Sequence, residues 1–157
     1  MKRTLQDLDP IERRLLALVQ EDASLSHNEM AERVGASSAS VWRRIKALET
    51  EGFLGRTVRL VDANRIGRGV NVLCHIRMSS HAKEPREAFE RWIQTQPEVL
   101  ECYSMTGDFD YLLRVVVADV ADYNAYLMRQ LLGHPSVSGG SSHFALDLVK
   151  HTTAMPV

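Results

Sequence analysis

The chain first changes its hydrophobic rhythm just after Gly52. Before that point apolar residues recur at three- and four-residue steps, the spacing that places them on one side of a helix. Asp9-Pro10 predicts a helix start, an N-cap acceptor followed by a proline at the first helical position, and Ile11, Leu15, Leu18 and Val19 continue it. Ser26-His27-Asn28-Glu29 has the S-x-x-E spacing of a capping box. The helix it opens carries Met30, Ala31 and Val34 inward and ends at Gly35. After a turn of about three residues, Ser37 or Ser38 caps a third helix with Val41, Ile45 and Leu48 at i, i+4 and i+7.

Two short helices joined by a tight glycine-containing turn are the layout of a helix-turn-helix, which holds its second helix out from the surface. Arg43, Arg44 and Lys46 lie off the Val41-Ile45-Leu48 stripe, and Ser38, Ala39 and Ser40 stand at the helix start. Small residues there allow close approach to base edges, and the cations can reach phosphates or guanine. The same pattern also suits a three-helix scaffold with a solvated basic face. The candidate DNA-contacting set is Ser38, Ala39, Ser40, Trp42, Arg43, Arg44 and Lys46.

Past Gly52 the pattern alternates. Leu54–Val61 predicts a strand, and the polar, glycine-containing DANRIGRG of residues 62–69 a linker. From Val70 the order is strand, helix, strand, strand, helix, strand. Val70, Val72, Cys74, Ile76 and Met78 alternate with polar neighbours, and Pro85 opens a helix bearing Ala88, Phe89, Trp92 and Ile93. Val99–Thr106 and Asp110–Ala118 are the next strands. Asp119 caps a helix with Tyr123, Leu127 and Leu131 inward, and the last strand lies within Ser141–Thr153. This βαββαβ order predicts an α+β, ferredoxin-like domain with both helices on one face of an antiparallel sheet. The expected organisation is a DNA-binding domain over residues 1–61, a linker over 62–69, and a sensing and oligomerisation domain over 70–157.

A strand with one face in water should alternate cleanly. Tyr111–Val117 does not, because Leu112 and Val116 stand opposite Leu113, Val115 and Val117. Its uncovered face calls for a partner, and the simplest is the same face of a second copy about a two-fold axis, with the N-terminal domain as the other possible cover.

Composition narrows the classes further. With 157 residues, 45% hydrophobic and 25% charged, the chain fits a soluble globular protein of one large or two small domains. No apolar run is long enough for a membrane span, and MKRTLQDLDP lacks the apolar core of a signal peptide, so a cytoplasmic location is expected. The net charge is −1, with ten basic and nine acidic residues in positions 1–60, so any DNA contact must come from local placement of charge. Cys74 and Cys102 fall singly in strand-like runs and read as reduced thiols. The six histidines show no metal-ligand spacing, and no phosphate loop, dinucleotide fingerprint or nucleophile elbow occurs. No metal or cofactor is expected.

Read together, LDPIERRLLALVQEDASLS, NEMAERVG, SVWRRIKALETEGFL, VDANRIG, PEVLECYSMTGDFDYLLRV and the LVKHTT ending resemble, in order and over nearly the whole chain, the Lrp/AsnC family of transcriptional regulators. The resemblance implies a winged-helix-like DNA reader joined to a sensor of amino acids. It implies dimers formed through the sensor domain, dimers associating into octamers, and an effector bound between dimers near the glycine–aspartate turn. The chain departs from the family pattern in three places. Ser37-Ser38-Ala39-Ser40 stands where relatives often have proline, Trp42 where a smaller aliphatic residue is usual, and Ser138–Ser142 carries two glycines where arginine and threonine are common.

The stretch TGDFDYLLRV suits such an effector. An amino acid offers a carboxylate, an ammonium and a side chain. Thr106 and Gly107 can present backbone N–H groups to the carboxylate, and Asp108 or Asp110 can pair with the ammonium, with Asp108 favoured as nearest the glycine. Tyr103, Met105 and Tyr111 can form the apolar wall, and Ser141 or Ser142 can add a hydroxyl. Each aspartate could instead merely cap the turn. The competing readings are a small ferredoxin-like enzyme using Asp108 and Asp110, and an interaction protein that binds a metabolite but no DNA.

Overall fold

The computed structural model describes residues 3–157. By internal contact the chain forms two units. One runs to Arg59 and includes Lys150–Val157; the other is Leu60–Val149. The C-terminal segment thus belongs with the first unit, although the sequence pattern grouped it with the second. Its anchor is Gln20, whose side-chain Nε2 donates to the Met155 carbonyl (3.2 Å) and whose Oε1 accepts from the Met155 amide (2.7 Å).

The first unit is built on three helices, α1 (Pro10–Glu21), α2 (His27–Val34) and α3 (Ser38–Thr50). Their ends follow the expected chemistry. Asp9 accepts from the Glu12 amide at 2.9 Å while the Glu12 carboxylate accepts from the Asp9 amide at 2.9 Å, a full capping box. Ser26 and Glu29 repeat the arrangement at α2. Gly35 closes α2 at φ +69°, a left-handed position that glycine takes without a Cβ clash. At α3 the cap is Ser37, whose hydroxyl accepts from the Ser40 amide at 3.2 Å. Leu15, Met30, Ala31, Val34 and Val41 form one buried cluster. Leu8, Leu16 and Leu48 form another, with Phe53 and Leu54 against it.

The expected strand over Leu54–Val61 is not formed. Alternation makes a strand only where a neighbouring segment completes the hydrogen-bond ladder, and here Val58, Leu60 and Val61 stay exposed. The following segment is an ordered turn rather than an open linker. The Asp62 carboxylate accepts from the amides of Asn64 (2.9 Å) and Arg65 (3.2 Å), and Gly67 takes φ +71°.

The second unit carries the four strands β1 (Val70–Met78), β2 (Val99–Ser104), β3 (Tyr111–Val117) and β4 (Val137–Phe144) with the helices α4 (Lys83–Ile93) and α5 (Val120–Tyr126). A π-helical turn, Leu127–Leu131, extends α5. The sheet order is β2-β3-β1-β4 and all neighbours are antiparallel, which is the expected ferredoxin-like arrangement. β4 starts and stops earlier than the sequence pattern suggested. Val72, Cys74, Ile76, Leu113, Val115 and Val117 pack with Phe89, Ile93, Tyr123, Tyr126 and Leu131 into one core. The other sheet face presents Leu73, His75, Arg77, Leu112 and Arg114, with Leu73 exposed and the Arg114 guanidinium paired with Glu101 at 2.8 Å. Cys74 is buried, Cys102 is half-buried, and neither forms a disulfide. Among the described residues, no helix is long and apolar enough to cross a membrane.

Candidate DNA-reading helix and effector turn

Helix α3 has two unlike sides. Val41 and Leu48 are fully buried beneath it and Ile45 is partly buried. On the opposite side Ala39, Trp42, Arg43 and Lys46 are exposed, with Ser38 half-buried at the start of the stripe. These residues recur at three- and four-residue steps, so they share one ridge. Arg43 has no hydrogen-bond or ion-pair partner among the described residues, and Lys46 pairs only with Glu49, 3.2 Å away on the same helix.

Arg44 departs from the expected DNA-contacting set. Its Nη1 is bonded to the Asp9 carboxylate at the cap of α1 and lies 3.8 Å from Glu12. The side chain is 28% exposed. A hundred degrees of helix rotation separates Arg43 from Arg44, and that rotation gives one arginine to the surface and the other to the helix packing. Ser40 is turned the same way as Arg44, partly buried, with its amide on Ser37. Trp42 is not a core residue: 54% of it is exposed.

The turn between β2 and β3 separates its two aspartates in an equally definite way. Asp110 Oδ2 accepts from the Met78 amide at 2.7 Å, and its backbone bonds both Ile76 and Met105. Its Oδ1 lies 3.2 Å from His81 Nδ1. Asp110 therefore stitches the turn to the end of β1. Asp108 is exposed and has no partner among the described residues. Gly107 stands between Thr106 and Asp108 at φ +106°, with open space where a Cβ would be. Its value is the backbone geometry rather than room.

The expected wall residues do not share a face. Tyr111 points into the helix-covered core, and its hydroxyl donates to Glu90 at 2.6 Å. Burial, and then that carboxylate, push the Tyr111 phenol above its usual pKa. Ser142 is also inward, 2.5 Å from the Tyr123 hydroxyl. Tyr103, Met105 and Ser141 are on the open side or at its rim. Tyr103 donates to Glu101 at 2.8 Å and Ser141 meets His143 Nε2 at 3.2 Å. Sequence reasoning missed Phe109, which lies between the aspartates. Its ring stacks on His75 with centroids 5.1 Å apart, and the Arg77 guanidinium sits 5.2 Å from its centroid. The period-two alternation of β1 already placed His75 and Arg77 outward with the turn at their end. Among the described residues, no group of three or more His, Cys, Asp or Glu is placed to hold a metal ion.

Comparison with known proteins identifies both domains. Residues 8–54 match the winged helix-turn-helix DNA-binding domain, and residues 71–155 match the Lrp/AsnC ligand binding domain. The chain is 38% identical to the DNA-binding transcriptional activator DecR of Escherichia coli over 96% of this chain and 99% of that one. It is 33% identical to the glutamate uptake regulatory protein of Zymomonas mobilis, over 98% and 93% respectively. Among solved structures, a transcriptional regulator of Neisseria meningitidis in complex with L-Met superposes with a TM-score of 0.92 at 32% identity, covering 95% of this chain and 96% of that one. An AsnC family regulator from Agrobacterium tumefaciens gives 0.90 at 39% identity, covering 95% and 97%. These relatives are regulators, and the enzyme reading falls with them. The chain belongs to the Lrp/AsnC family of DNA-binding transcriptional regulators.

Proposed function

We propose that this regulator reads DNA through the ridge Ser38, Ala39, Trp42, Arg43 and Lys46, and responds to a free amino acid held at the turn Thr106-Gly107-Asp108. The observation that carries the effector site is the contrast between the aspartates: Asp110 is used by the fold, while Asp108 is exposed and unpaired beside a glycine at φ +106°. Asp108 takes the ammonium, the N–H groups around Gly107 take the carboxylate, and Met105, Tyr103 and Phe109 border the side chain. Arg77, beside Phe109, is a second candidate for the carboxylate. The L-Met complex of the Neisseria relative supports an amino acid as the ligand class.

The working unit in this reading is a cytoplasmic homodimer closed through the open sheet face, where Leu73 and Leu112 would find apolar cover. Dimers meet in a higher assembly, an octamer, with the effector turn at the contact, so that the ligand alters the spacing of the DNA-reading helices. Thermal-shift screening of the twenty amino acids tests the ligand class. A ligand of the folded state raises the melting temperature with concentration, and the absence of any stabilising amino acid would refute it.

A further inference from the structure

Trp42 is the one large aromatic side chain on the exposed ridge of α3. It stands one turn after Ser38 and Ala39 and one turn before Lys46, with Arg43 beside it. Its exposure of 54% shows that the three-helix core does not use it. The nearest acids on its helix are at the far end, and Glu49 is engaged by Lys46. Ser38 and Ala39 stand on one side of the indole, and the shallow depression on its other side is lined by Arg43, Lys46, Ala47, Thr50 and Glu51, the last engaged by Arg3.

We infer that Trp42 reads thymine, packing its indole against the C5-methyl group of a particular thymine in the major groove. The inference rests on the assignment of this ridge to DNA and deepens it. Base edges in the major groove are polar with one exception, the thymine methyl. An indole offers a broad apolar surface that suits that methyl group, while its single N–H donor meets acceptors that several bases share, so its base-specific contact is the apolar one. Ala39 and Ser38 are short enough to let the helix seat deeply, and Arg43 and Lys46 can hold the flanking phosphates. In a dimer the contact occurs twice, on thymines related by the operator's two-fold axis.

The test separates this role from general DNA binding. The full-length protein first selects its own sequence from a random duplex library. Each thymine of that sequence is then replaced by deoxyuridine, which removes one methyl and leaves every hydrogen-bonding group. For the wild-type protein, one symmetry-related thymine position should lose about fourfold in affinity per methyl, the worth of one buried methyl-sized group. Trp42→Ala should bind thymine and deoxyuridine equally at that position, and Trp42→Phe should restore the discrimination. Discrimination that persists in Trp42→Ala, or no thymine whose methyl matters to wild type, overturns the inference. In either of those cases a normal salt-dependent loss in Arg43→Ala would leave the DNA-reading ridge itself standing. Failure to select any sequence, with Arg43→Ala behaving as wild type, would remove the ridge and the thymine contact together.

Discussion

The guanidinium of Arg44 on α3 is bonded to the carboxylate of Asp9 at the cap of α1, while Arg43, its neighbour in sequence, faces away with no partner among the described residues. Two adjacent arginines on one helix therefore have different work. Arg44→Ala removes a partly exposed ion pair and should lower stability by up to about 1 kcal/mol. Its effect on DNA should be small. Arg43→Ala should leave the melting temperature near wild type and reduce the slope of log affinity against log salt by about one, if the side chain meets a phosphate. Thermal melts beside salt titrations of operator binding distinguish the two, and equal behaviour of both variants would contradict this division.

Asp9 also gives the first unit an acid limit. Its carboxyl is held below the usual carboxylate range, first by the Glu12 amide, against a burial effect of opposite sign, and then by Arg44. Asp22 and Glu29 are lowered as well, each chiefly by the hydroxyl of a neighbouring serine. A lowered folded-state pKa contributes stability that is present above the unfolded value, about 4, and is lost as pH falls through the folded value. Stability should therefore decline below a pH of about 4. Asp9→Asn keeps a capping oxygen but cannot titrate, so it should be less stable than wild type at neutral pH and show a shallower decline in acid. Melts across that range check both.

Two glycine substitutions separate backbone demand from space. Gly107→Ala places a Cβ in open room but at φ +106°, and should cost about 1 kcal/mol or more in stability. Gly139→Ala, in β4, also meets nothing nearby and has no such dihedral. It should be nearly neutral in denaturant unfolding.

The sheet face supplies a test of assembly. Leu73→Asp puts a charge on the open side of β1 without entering the core. The variant should remain folded and sediment as a smaller species than wild type, since a buried unpaired charge is costly at an interface. Unchanged sedimentation would place the dimer contact elsewhere.

Much of this molecule was legible in the sequence because its local signals agree with its tertiary structure. The Asp9 and Ser26 caps and the Gly35 stop each have a direct structural counterpart. The failures are also physical. Leu54–Val61 alternates like a strand but has no neighbouring strand among the described residues to pair with. Arg43 and Arg44 were grouped as lying off the apolar stripe, yet Arg44 stands three residues after Val41 and four before Leu48 and so borders that stripe, where it meets α1. Tyr111 and Ser142 were grouped with Tyr103 and Ser141 as the wall and hydroxyl of one site. The pleat sends one pair into the core and the other to the open side. Phe109 was passed over because an apolar residue between two acids carries no motif of its own.

The two aspartates of the turn offer the most direct measurement. Asp110→Ala leaves the Met78 amide without its acceptor and should destabilise the fold by about 1–3 kcal/mol. Asp108→Ala should leave the melting temperature in the absence of ligand unchanged. With the amino acid that stabilises the wild-type protein, operator affinity is measured with and without that ligand for wild type and Asp108→Ala. Equal affinity is expected without ligand, with a ligand response present in wild type and absent in the variant. A variant that still responds at the wild-type ligand concentration would contradict the placement of the effector at this turn.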